Sequence, residues 1–126
     1  MVNNIIADGL ARIKNAQAVR NLDTIILYSK FMLELVIVLR NEGYIRGFSI
    51  ESGKIKVYLK YFNNSPTFKN IKLISKPSRK VSYSVSNLLK KKSQTGTFII
   101  STSQGLFSSN DAIKHNLGGE VVCYIT

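Results

Sequence analysis

Apolar positions recur at helical spacing near the start of the chain. Ile6, Leu10, Ile13 and Gln17 fall on one stripe, while Asp8, Arg12 and Asn15 fall on another, which predicts a helix over 4–19. Asp8 and Arg12 are four apart and can pair. TIILY (24–28) reads as a short strand, after which Ser29 is placed to cap a helix over 30–41 that is apolar nearly all round. Its one polar stripe, Lys30, Glu34 and Asn41, is broken by Ile37, and Gly43 is the expected stop. YIRGFSIE and KIKVYLKYF flank Ser52-Gly53, a two-residue hairpin signal. In the second arm Ile55, Val57, Leu59 and Tyr61 alternate with Lys54, Lys56, Tyr58 and Lys60. The polar stretch NNSPT (63–67) is the best candidate for a boundary.

The second half is richer in strand patterns. KNIKLIS contains a strand, and SKPSRK is a turn fixed by Pro77. KVSYSVS alternates Val81, Tyr83 and Val85 with Lys80, Ser82 and Ser84; LLKKK is a short helix or loop. TFIIST is a strand leading into ISTSQG, read as a hydroxyl-rich β-to-α turn. Ser108 to Asp111 has capping-box spacing ahead of a helix over 109–116, stopped by Leu117-Gly118-Gly119, and EVVCYI is a final strand. The fold class is therefore α+β, in two small domains. Residues 1–64 form a helix-strand-helix-hairpin domain and 65–126 a mostly β domain with one short helix.

Charge sharpens this picture. The 126 residues carry 18 Lys and Arg against 7 Asp and Glu, a net +11. No acidic residue lies between Glu51 and Asp111, a gap that holds 11 Lys or Arg. Such asymmetry points to a polyanion, with nucleic acid ahead of an anionic membrane surface. The longest apolar run, FMLELVIVL, is too short to span a bilayer, and MVNNIIADG lacks the features of a signal or transit peptide.

Catalytic chemistry is sparse. One cysteine, Cys123, sits in an apolar strand and reads as a buried, inert thiol. One histidine, His115, sits near a helix end, where a capping or surface role is expected. These two make no zinc constellation, and there is no phosphate-binding loop, nucleophile elbow or paired carboxylate. No enzyme, cofactor or metal is expected.

Nucleic-acid features are more numerous. Lys54, Lys56 and Tyr58 share a strand face with Lys60; Lys76, Arg79 and Lys80 crowd the proline turn; Lys90 to Lys92 form a triplet. Folded RNA is also read through 2′-hydroxyls and irregular grooves, which short hydroxyl and amide side chains suit. ISTSQG offers such a surface, yet a turn that only satisfies its own hydrogen bonds accounts for it equally well.

STSQG, eleven residues, then LGGEVVCYI resembles the signature of the small-subunit ribosomal protein S8 family. IADGLARIKNAQ is similar to that family's opening helix, RNEGYIRGF to its helix-to-strand junction, and LKY with ISKPSRKVS to its central segment. The likeness runs in order over residues 5–125. It implies a two-domain protein that binds a stem in the central domain of small-subunit rRNA, monomeric within the ribosome, among neighbouring ribosomal proteins and away from membranes. Carried over, it implies RNA contact by Ser101, Thr102, Ser103, Gln104 and Gly105, with Gly118, Gly119 and Glu120 as a second part of that surface. Arg12, Asn15 and Lys30 match positions where the family's first domain meets RNA, and Lys76, Arg79 and Lys80 fall on the basic turn.

The chain departs from the family pattern at Leu27, Ser78, Ser82, Gln104 and Ile113; a basic residue usually stands where Gln104 does. Its 15 Ile, 11 Asn and 13 Lys against 5 Arg suggest AT-rich coding. With the wording of NEGYIRGF and ISKPSRK, that bias resembles mitochondrially encoded members, and plastid or bacterial ribosomes are the alternatives. A second functional reading is a translational repressor that binds its own messenger RNA.

Overall fold

The computed structural model describes residues 2–63, 65–67, 70–74, 79–91 and 96–126. It divides into two compact units, Met1–Lys69 and Asn70–Thr126.

The first unit opens with helix α1 (Val2–Ala18), followed by strand β1 (Asp23–Leu27) and helix α2 (Lys30–Asn41). Ser29 caps α2 by accepting from the Met32 N–H at 3.1 Å. At the other end Gly43 N–H bonds to Arg40 C=O and Tyr44 N–H to Leu39 C=O, the paired bonds of a Schellman stop. Strands β2 (Ile45–Glu51) and β3 (Lys54–Leu59) follow as a hairpin. Ser52 and Gly53 have φ of 51° and 75°, the left-handed pair that a two-residue turn between twisted strands requires. The antiparallel sheet runs in the order β1-β3-β2.

Alternation decides the faces of this sheet. Ile26, Ile55, Val57 and Leu59 are buried on the inner side, where α1 and α2 also pack. The α1 stripe of Ile6, Leu10, Ile13 and Gln17 is buried as its spacing requires. Each such aliphatic side chain contributes about 1.5–3 kcal/mol of burial. Gly9 lets the helices meet, because a Cβ there would lie 2.6 Å from the Met32 methyl.

Gln17 is the polar exception on that stripe. Its amide donates to the Lys60 carbonyl at 2.9 Å and to Thr67 Oγ1 at 3.1 Å, and the Thr67 hydroxyl donates to the Tyr44 carbonyl at 2.6 Å. These bonds tie residues 60–67 into the first unit, including the small pair β4 (Tyr61–Phe62) and β5 (Ser65–Pro66). Tyr61 therefore belongs to this separate pair and not to the continuation of β3 that its alternation suggests. Its hydroxyl donates to the Asn21 carbonyl at 2.7 Å.

The second unit is built on strand β10 (Gly119–Ile125). On one side β10 pairs with β8 (Thr97–Thr102), which pairs in turn with β9 (Gly105–Ser108). On the other side β10 pairs with β6 (Ile71–Leu73) and, nearer its start, with β7 (Ser82–Tyr83). Helix α3 (Val85–Lys90) precedes β8, and α4 (Ser109–Lys114) follows β9. Leu88, Phe98, Ile100, Ala112 and Val121 form the core between them.

Three sequence expectations change here. The alternation in KVSYSVS ends at Tyr83, because Ser84 caps α3 and forms a reciprocal capping box with Asn87, so Val85 starts a helix. ISTSQG is a strand-to-strand hairpin and not a β-to-α turn, since β9 intervenes before Ser108 caps α4. Helix α4 also ends earlier than expected. Asn116, at φ 57°, and Leu117 close it through bonds to Ile113 and Ala112, so the glycines after it serve another purpose.

Candidate nucleic-acid interface

The β8–β9 hairpin owes its shape to one side chain. Across the turn Thr102 opposes Gly105, with Ser103 and Gln104 at the tip. The Thr102 hydroxyl donates to the Gly105 carbonyl at 2.8 Å and accepts from the Gln104 N–H at 3.1 Å. Gly105 closes the turn at φ 117°, where a side chain would be strained. The hydroxyls thus divide their work. Thr102 locks the backbone, while those of Ser101 and Ser103 have no intramolecular partner among the described residues.

Gly119 stands against this hairpin, and Gly118 against Tyr83 and Ser84, by necessity. A Cβ on Gly119 would collide with the Ser101 carbonyl, and one on Gly118 would lie 2.7 Å from the Tyr83 carbonyl. The glycine pair lets the start of β10 wedge between β8 and β7. Register then places Glu120 beside Ser101 on one side and beside Ser82 on the other, so the three share one face of the sheet. Lys80 Nζ lies 3.6 Å from a Glu120 carboxylate oxygen, both partly exposed. On the opposite face Tyr83 meets Phe98 edge to face at 5.6 Å, and Lys91 Nζ sits 5.2 Å from the Tyr83 ring centre.

The structure therefore brings Ser101, Thr102, Ser103, Gln104, Gly105, Gly118, Gly119, Glu120 and Lys80 to one end of the second unit's sheet. Arg79 is exposed just before Lys80. Lys76 lies outside the described residues, as does Lys92 of the lysine triplet. Arg12 and Asn15 are exposed on α1, with Arg12 held by Asp8 at 3.0 Å, and Lys30 is exposed at the start of α2. Lys54, Lys56 and Tyr58 share the outer face of the first unit's sheet. Neither Ser82 nor Tyr83 stands among the contacts expected from the sequence; the pairing of β7 with β10 puts them beside Glu120 and Gly119.

His115 caps the end of α4, its Nδ1 2.9 Å from the Asp111 carbonyl and its ring stacked on Phe107. Cys123 is wholly buried, and burial pushes its thiol from 9.0 up to about 12, the reverse of an activated nucleophile. No group of metal-ligating side chains is found among the described residues. No helix among them is long and apolar enough to cross a membrane.

The hairpin thus presents two hydroxyls without an intramolecular partner among the described residues, beside a glycine pair in a strongly basic chain. The family model for ribosomal protein S8 matches residues 4–126. The chain belongs to the ribosomal protein S8 family. Its relatives include the small ribosomal subunit protein uS8 of Nitratidesulfovibrio vulgaris (strain DP4), 37% identical over 125 residues that cover 99% of each chain. That of Mycoplasma mobile is 40% identical over 129 residues, covering 99% of this chain and 97% of the relative. That of Buchnera aphidicola subsp. Baizongia pistaciae is 38% identical over 124 residues, covering 96% and 95%. The S8 family is one of ribosomal proteins and not of enzymes.

Proposed function

We propose that this chain is a structural constituent of the small ribosomal subunit that binds a stem in the central domain of the small-subunit rRNA and supports subunit assembly. Membership of the S8 family, whose relatives are named as small-subunit proteins, supports the ribosomal part. The observation that supports RNA recognition is the hairpin, where Thr102 fixes the turn and the Ser101 and Ser103 hydroxyls have no partner among the described residues. In this reading Ser101, Ser103 and the Gln104 amide meet ribose hydroxyls and base edges. Gly105, Gly118 and Gly119 set the backbone shape, and Glu120 accepts from a base or ribose donor beside Ser101.

The cations have a different part. Arg79 and Lys80 supply phosphate contacts next to the hairpin, Lys76 adds to the positive charge of the chain, and Arg12 and Lys30, with the Asn15 amide, offer contacts on the first unit. Gln104 weakens phosphate attraction at the tip itself, leaving shape and hydrogen bonding to carry more of the discrimination. The surplus of Ile, Asn and Lys favours a mitochondrial ribosome as the setting.

Binding to an isolated central-domain stem, measured with tRNA as competitor, tests the proposal. Sub-micromolar affinity that excess tRNA does not displace is expected; equal affinity for both RNAs would refute it.

A further inference from the structure

The two edges of the first unit's sheet are built differently. Strand β2, at one edge, has a register shift between Ile45 and Gly47, an exposed Arg46 within that shift and Glu51 at its end. A bulge and charges are the usual means by which an edge discourages a further strand. Strand β1, at the other edge, pairs with β3 in unbroken register and has no Lys, Arg or Pro. Its outward side chains, Ile25 and Leu27, are 50% and 53% exposed. Leu22 and Tyr28, on either side, are also exposed, as is Val19. Five of the eight large exposed apolar side chains among the described residues thus fall between positions 19 and 28. Scattered apolar residues need no explanation, but a cluster of them in and beside an edge strand that has no Lys, Arg or Pro does.

The neighbouring row says what covers it. In register with Ile25 and Leu27, on the same outer face, stand Lys56 and Lys54. They rim a concavity of about 190 Å³ with Ile25, Glu51 and Ser52. Lys56 leans toward the Tyr58 ring at 5.8 Å, and Lys54 has no ion-pair partner among the described residues. RNA fits this surface poorly, because its phosphates and sugars gain nothing from the exposed Ile25 and Leu27 side chains. A second copy of a chain at +11 fits poorly for reasons of charge.

We propose that the free edge of β1 takes an extended segment of a neighbouring protein as an added strand, with apolar side chains at alternate positions beside Ile25 and Leu27 and carboxylates that reach Lys54 and Lys56. Backbone pairing supplies affinity and the alternate side chains supply selectivity. An added strand lies about 4.8 Å from β1 and about 10 Å from β3, within reach of long side chains from both sides. This assigns Lys54, Lys56 and Tyr58 to a protein contact, and it rests on the reading of the chain as a ribosomal component.

The test uses the full chain assembled into small subunits, with a photo-crosslinking residue in place of Leu27, together with amide exchange across Asp23–Leu27. The expected result is a crosslink to a protein chain that survives ribonuclease, with β1 amides protected at least ~100-fold more in the subunit than in the free protein. A crosslink to RNA, or β1 exchange unchanged on assembly, overturns the inference. Ile25→Thr with Leu27→Thr, which keeps strand-forming residues on the surface, is expected to lower incorporation at least ~10-fold while stem affinity stays within about twofold. Undiminished incorporation overturns it as well. Loss of stem preference by the unchanged chain would instead count against the rRNA reading, so the two failures are distinguishable.

Discussion

The hairpin of the second unit and the β1 edge of the first are both exposed strand features in one basic chain, yet their chemistries are opposite. The hairpin is polar, uncharged and locked: Thr102 spends its hydroxyl on the turn, and the strands pack against a glycine pair. The β1 edge is apolar, with its lysines one strand away. A net charge of +11 therefore says little about which surface meets which partner. Lysines raise affinity for any polyanion, whereas the small groups between them decide what is accepted.

Substitution at two glycines breaks the comparison most sharply. Gly119→Val puts side-chain atoms into the Ser101 backbone, which cannot swing aside, so a loss of about 1–3 kcal/mol is expected, together with stem binding. In the first unit Gly47 has nothing within 4 Å of an added Cβ and no positive φ, so Gly47→Ala is expected to be neutral or to stabilise by up to about 1 kcal/mol. Urea unfolding of the two variants measures the contrast, and equal losses would mean that the wedge at Gly119 is unimportant.

Alkali probes the same unit through Cys123. Its thiol holds its proton to about pH 12 when folded, against 9.0 ordinarily. Below pH 9 the group is neutral in both states and adds no pH dependence; above it the unfolded chain loses the proton and gains stability. At pH 10 this amounts to about 1 kcal/mol relative to pH 8, and the loss continues up to the folded value. Cys123→Ala is expected to remove that increment when stability is compared at the two pH values.

The helix caps give the smallest difference. Ser108 is wholly buried and accepts from Asp111 N–H at 3.2 Å, while Ser29 makes the equivalent bond for the longer α2 where it is partly exposed. At the wholly buried Ser108 position no water takes the place of the deleted hydroxyl, so Ser108→Ala is expected to cost more than Ser29→Ala, within the about 0.5–2 kcal/mol that caps supply. Thermal unfolding of the two variants checks the order.

Local chemistry made much of this readable in advance. The α1 stripe, the Ser29 cap, the Gly43 stop and the Ser52-Gly53 turn each depend on residues close in sequence, and each stands where the pattern put it. What escaped depended on competition or on distance. KVSYSVS alternates like a strand, but Ser84 and Asn87 satisfy each other's backbone and win Val85 for a helix. The glycine pair reads as a helix stop, yet Asn116 does that work and the glycines answer to Ser101 and Tyr83 across the sheet. The candidate site was legible as a motif at 101–105, whereas the placement of Ser82 and Tyr83 beside it required the pairing of β7 with β10.

The central claim is that the locked hairpin, more than the lysines around it, selects the RNA. Filter binding to the central-domain stem tests it with two variants at matched salt. Ser101→Ala with Ser103→Ala is predicted to weaken binding by about tenfold or more, the worth of two modest hydrogen bonds, with the salt dependence unchanged. Lys80→Ala, beside Glu120, is predicted to cost less than about threefold and to lower the salt slope by about one. A double serine variant that binds as well as the unchanged chain, or a Lys80→Ala variant that binds worse than it, would contradict the account.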